Sequence, residues 1–130
     1  MERDGILDRM DIRLKASDYE MTEETRSRIE EKCAALSKLL GSDASVARYE
    51  VEVGRDAGGQ KHGANIWFAE FHILFPGGAV RATNRSESVH GAIDDAKEEV
   101  ARQLRRARKL HIRMWRRSGA AFKKFLRMAE

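Results

Sequence analysis

Apolar and polar positions alternate from the tenth residue onward, with Met10, Ile12, Leu14 and Ala16 separated by Asp11, Arg13 and Lys15. A period of two belongs to a strand with one buried face, so this segment is predicted as the first strand. The period then lengthens. Ile29, Cys33, Leu36 and Leu40 recur at i, i+4, i+7 and i+11, the stripe of an amphipathic helix. Thr22 ahead of Glu23 and Glu24 suits its N-cap, and Gly41 its stop.

Period two returns over Val46 to Val53, with Tyr49, Val51 and Val53 facing one way and Arg48, Glu50 and Glu52 the other. Residues 54 to 63, GRDAGGQKHG, hold four glycines and nothing apolar larger than alanine, which predicts a mobile connection. A third strand is predicted over Asn65 to Pro76, its core side carrying Trp67, Ala69, Phe71, Ile73 and Phe75 and its outer side Ile66, Phe68, Glu70, His72 and Leu74. Pro76-Gly77-Gly78 turns it into a fourth, Ala79 to Asn84. Ser86 then caps a second helix whose stripe is Val89, Ile93, Ala96, Val100, Leu104 and Ala107.

The order β-α-β-β-β-α predicts an α+β, two-layer sandwich, with a four-stranded sheet, both helices on one face and a right-handed first crossover. The opposite sheet face is left open. With 130 residues there is chain for one such unit, placed at 1–110, and for a tail at 111–130. Cys33 is the single cysteine, which excludes an internal disulfide and thiolate metal spacings. No apolar run reaches the ~20 residues of a spanning helix, and MERDGILDRM lacks the continuous apolar stretch of a secretory signal. A cytoplasmic location is expected.

Charge changes this picture of an ordinary small domain. Residues 1–100 hold 14 Lys and Arg against 20 Asp and Glu, whereas residues 101–130 hold 11 against one. Cations at a helix end complement its dipole, but that accounts for two or three of them. A block this large calls for a polyanionic partner. Along the second helix Asp94, Asp95, Glu98 and Glu99 come first and Arg102, Arg105, Arg106, Arg108 and Lys109 follow. Glu98 can pair with Arg102 and Glu99 with Arg106. Arg102, Arg106, Lys109 and Arg113 are spaced four, three and four apart, so they form one ridge if the helix runs that far. Arginine forks on a rigid rod suit phosphates along a folded RNA or DNA groove.

The tail interleaves Trp115, Phe122, Phe125 and Leu126 with basic residues. Three fates are open to it: stacking on unpaired bases, lying on an anionic membrane, or folding onto the open sheet face beside Ile66 and Phe68. No phosphate loop, HExxH or serine elbow is present, and His62, His72, His90 and His111 show no ligand spacing. The reading is a binding protein without catalysis, cofactor, metal or small-molecule substrate.

Two stretches, MDIRLKASDYEMTEETRSRIEEKCAALSKLL and FAEFHILFPGGAVRATNRSESVHGAIDDAKEEVARQLRRARKL, resemble the ribosome hibernation promoting factor and ribosome-associated inhibitor family, also named sigma-54 modulation proteins, over about residues 10 to 110. Pro76-Gly77-Gly78, Arg81-Ala82-Thr83, Ala92-Ile93-Asp94 and Gln103-Leu104-Arg105-Arg106 carry the likeness. The resemblance implies the same β-α-β-β-β-α fold, similar in shape to double-stranded RNA-binding domains. It implies attachment to the small ribosomal subunit and its 16S rRNA within the 70S ribosome, in the cleft of messenger and transfer RNA, silencing translation under starvation. It points to Arg102, Arg105, Arg106 and Lys109, with Arg13, Lys15 and Arg81 on strands as weaker candidates. The chain resembles the family's short form, lacking the separate dimerisation domain, and the basic aromatic tail departs from that form's usual pattern. The family's other name leaves a rival, a protein-interaction regulator of transcription. A membrane-surface module, resting on the tail alone, stands third.

Overall fold

A computed structural model describes residues 10–56 and 64–117, the last seven as helix backbone. In chain order the elements are β1 (Asp11–Ser17), α1 (Glu23–Leu40), a 3-10 helix (Gly41–Val46), β2 (Arg48–Arg55), β3 (Trp67–Phe75), β4 (Gly78–Ser86) and α2 (Val89–Arg117). The strands lie in the order β1-β2-β3-β4, with β1 parallel to β2 and the other pairs antiparallel. A parallel pair needs a long crossover, and α1 supplies it. The α+β class and the element order are those expected.

The two predicted stripes meet the sheet as the periodicity requires. Ile29, Cys33, Leu36 and Leu40 of α1 and Ile93, Ala96, Val100 and Leu104 of α2 are fully buried with Tyr49, Val53, Ala69, Phe71 and Ile73. The Thr22 hydroxyl accepts from the Thr25 amide at 3.1 Å, closing the first turn of α1, and Gly41 ends that helix at a positive φ of 57°. Gly77, at φ 89°, makes the β3–β4 turn after Pro76.

Three local expectations are corrected. Val46 closes a 3-10 turn and is two-thirds exposed, so β2 begins at Arg48. Gly54 and Arg55 belong to β2, whereas 57–63 lie outside the described residues. The cap of α2 is Ser88, whose hydroxyl accepts from the Gly91 amide at 3.0 Å; Ser86 still pairs with Trp67 in the ladder.

Three buried side-chain atoms lack a hydrogen bond among the described residues: the Tyr49 hydroxyl, Asn84 Oδ1 and Asp94 Oδ1, the last still facing Lys32. The Tyr49 hydroxyl is enclosed with no hydrogen bond among the described residues, and burial, with Cys33 nearby, pushes its pKa up to about 12. An unpaired buried hydroxyl opposes folding, so Tyr49→Phe is expected to raise stability by about 1 kcal/mol in urea unfolding. A loss of stability would show that the hydroxyl has a partner.

Candidate nucleic-acid interface

At 29 residues α2 is about 43 Å long, longer than the nine-residue strands beneath it. Its contacts fix its rotation. On one flank His90 reaches the Thr25 hydroxyl of α1 at 3.2 Å, Asp94 meets Lys32 at 3.2 Å and Arg108 meets Asp43 at 2.9 Å. On the other flank the Gln103 side-chain oxygen accepts from the Arg81 amide at 3.1 Å, closing the free edge of β4 there.

At about 100° per residue, this rotation sends Arg102, Arg105, Arg106 and Lys109 away from the body, and all four are exposed. Arg106 leans toward the β4 flank and Arg105 toward α1. Arg113 follows in the same line on the helix, its side chain lying outside the described residues. Arg105, Arg106 and Lys109 carry no ion pair among the described residues. Arg102 pairs with Glu99, three residues back, and that guanidinium together with Gln103 holds the Glu99 carboxyl below its ordinary pKa. Glu98 reaches Lys97 rather than Arg102. Exposed pairs of this kind contribute little, so a phosphate can displace Glu99 from Arg102.

Arg108 is different from its neighbours. Its position on the α1 flank beside the apolar stripe ties α2 to the 3-10 helix, so it braces the rod instead of adding to the ridge.

The strand candidates stand apart from this ridge. Arg13 and Lys15 point from β1 onto the open sheet face, and Arg81 points onto the same face from β4. Across the sheet the register aligns Arg13, Glu50, His72 and Arg81 in one row and Lys15, Glu52, Glu70 and Thr83 in the next. All of these but Thr83 line a shallow groove of about 260 Å³, basic at both rims and acidic along its floor. Three strand spacings, about 14 Å, separate β1 from β4. Gln103 joins only the backbone of Arg81 to α2; the Arg81 side chain lies on the open face at the β4 edge, and Arg13 and Lys15 lie across an acidic strip from it.

No local pattern along the chain signals that His72 and Glu70 surround Arg81. The Arg81 guanidinium lies 3.1 Å from His72 Nδ1 and 3.8 Å from Glu70. At the far end of the sheet Tyr19 meets Trp67 edge-on, with ring centroids 5.5 Å apart, and Arg55 lies over the Trp67 ring. No group of three or more His, Cys, Asp or Glu among the described residues could hold a metal ion. No helix among them is long and apolar enough to cross a membrane.

Comparison with known proteins agrees with this architecture. A family model described as "Sigma 54 modulation protein / S30EA ribosomal protein" matches residues 12–111. The structure is similar to the Protein Y N-terminal domain of Thermus thermophilus, with a TM-score of 0.62 and 24% identity over 75% of this chain and 98% of that one. It is also similar to a ribosomal subunit interface protein from Coxiella burnetii, with a TM-score of 0.61 and 12% identity over 77% of this chain and 99% of that one. No curated protein sequence matches significantly.

Proposed function

The chain belongs to the sigma 54 modulation protein / S30EA ribosomal protein family, and from that premise we propose that it inhibits translation by laying α2 against small-subunit rRNA in the messenger and transfer RNA channel. The observation that carries the reading is the run of exposed cations Arg105, Arg106 and Lys109, unpaired among the described residues, on a helix that Arg108 and the buried stripe hold rigid. Arg102 joins them once Glu99 yields it, Arg113 extends the line, and Arg81, on the open face at the β4 edge, would add a contact to RNA that reaches round that edge. Arg13 and Lys15 would meet RNA only if it also wrapped the open sheet face.

A preformed cationic rod gives up little conformational freedom on binding, and each phosphate it neutralises releases counterions. Occupancy then suffices: RNA cannot enter a passage already filled, and no reacting group is needed, as befits a non-enzymatic family. The Coxiella relative is described as a ribosomal subunit interface protein; the same location is proposed for this chain, in the cytoplasm of cells whose growth has stopped.

The decisive experiment is sedimentation of stationary-phase lysate. The protein is expected in the small-subunit and 70S fractions and should leave them as salt rises. Its recovery with RNA polymerase, and absence from every ribosomal fraction, would overturn the reading in favour of a transcriptional regulator.

A further inference from the structure

On the open sheet face a single ring nitrogen has two neighbours that it cannot serve at once. His72 Nδ1 lies 3.1 Å from Glu50 Oε1 and 3.1 Å from the Arg81 guanidinium. Glu50 accepts only if Nδ1 carries a hydrogen. Arg81 donates only if Nδ1 does not. The protonation of one imidazole thus selects which contact exists.

With its hydrogen on Nε2, His72 accepts from Arg81 and holds that guanidinium flat on the sheet, with Glu70 3.8 Å away on the other side. With both nitrogens protonated, His72 donates to Glu50 and presents a positive charge to Arg81. Arg81 then keeps only the longer Glu70 contact, and Glu70 is already engaged by the Thr83 hydroxyl at 2.9 Å. The surrounding charges favour this exchange. Glu50 and Glu52 face the ring's side of the sheet from β2 and Glu70 from its own strand; Arg13 and Lys15 of β1 lie beyond Glu50 and Glu52. Arg48 approaches the second oxygen of Glu50 at 3.9 Å, leaving Oε1 for the imidazole. Arg81 is the one cation facing the ring from β4.

We infer that His72 is a positioning residue for RNA recognition: its protonation releases Arg81 from the sheet, and Arg81 is then free to take a phosphate at the β4 edge. The inference rests on the RNA-binding reading above.

Two measurements test it on the full chain. Long-range proton–nitrogen NMR of the free protein reports which His72 nitrogen carries hydrogen. The expected result is Nε2–H at pH 8 and a doubly protonated ring at low pH, with the Arg81 side-chain signals moving in step. Equilibrium binding to purified small subunits should tighten about three- to fivefold on acidification, in excess of the same change in His72→Gln and Arg81→Ala, because one exposed charge-assisted contact is gained. A His72 ring that already holds its hydrogen on Nδ1 at pH 8 would overturn the inference, as would a His72→Gln variant with the full pH response. If the NMR exchange occurs but the wild-type chain binds no subunit at any pH, the RNA-binding reading and the recognition role fall together, and the exchange stands as a property of the sheet alone.

Discussion

Replacing Arg102, Arg106 and Lys109 together by alanine is expected to weaken binding to the small subunit about a hundredfold at physiological salt, roughly a fivefold factor for each lost phosphate contact. The slope of log affinity against log salt should flatten by about two to three units, since each neutralised phosphate contributes roughly 0.7 to 0.9. The fold should survive. All three side chains are exposed, and the sole ion pair lost among the described residues is Arg102 with Glu99. Surface changes of this kind shift stability by about 0.5 kcal/mol or less. Arg108→Ala is the informative contrast, because it removes a charge of the same sign from a residue bonded to Asp43. Filter binding across a salt series, with thermal unfolding in parallel, separates loss of contact from loss of structure. A triple variant that binds with the wild-type slope would remove α2 from the interface.

The second large effect is on folding. Gly54→Ala is expected to destabilise the protein by about 3 kcal/mol, lowering the melting temperature by roughly 10 to 15 °C for a unit of this size. A methyl group on Gly54 would sit 2.2 Å from the Ser17 carbonyl oxygen and 3.0 Å from the Ser17 Cβ. Both obstacles belong to the neighbouring strand, where Ser17 pairs with Gly54 at the end of the parallel ladder. Immediately afterwards Asp18 adopts a positive φ of 49°, so the chain is already turning sharply and cannot withdraw. β1 would have to separate from β2, taking with it the Ser17 hydrogen bond to Glu52. Calorimetry checks this, and an unchanged melting temperature would mean that the ladder end yields easily.

Gly54 also shows where the sequence stopped being legible. Read along the chain it opens a run of glycines, and local composition assigns it to a connection. Its actual role, making room for Ser17, depends on a residue 37 positions earlier in a parallel pair, which no local pattern encodes. The same reason lies behind the other misreadings. Ser86 and Ser88 are both good caps by type, and only the ladder partner Trp67 assigns the first of them to β4. Val46 is β-branched and reads as strand by type, yet the glycine at 41 leads into a 3-10 turn that exposes it.

By contrast, the stripes of both helices and the inward face of β3 could be read directly, because burial selects apolar residues at a fixed period whatever the distant partner is. The candidate site divides in the same manner. Arg102, Arg105, Arg106 and Lys109 share an exposed surface because helical spacing alone places them there. Assigning Arg108 to a brace needed Asp43, and separating Arg13 and Lys15 from the ridge needed the strand order. Arg81 is tied to α2 by Gln103, a contact between residues 22 apart in sequence that periodicity cannot supply.

The reversal of charge along α2, from Asp94, Asp95, Glu98 and Glu99 to Arg102, Arg105, Arg106 and Lys109, bears on the direction of approach. A uniformly basic rod could settle into a groove either way round, and half of its arrivals would be backwards. On the proposed reading the leading acids would be pushed off by phosphates while the trailing bases were drawn in, so an inbound molecule would be swivelled before it touched. The helix would thereby act as its own compass needle, and correct end-for-end arrival would be decided at a range of about a Debye length, some 8 Å, ahead of any contact.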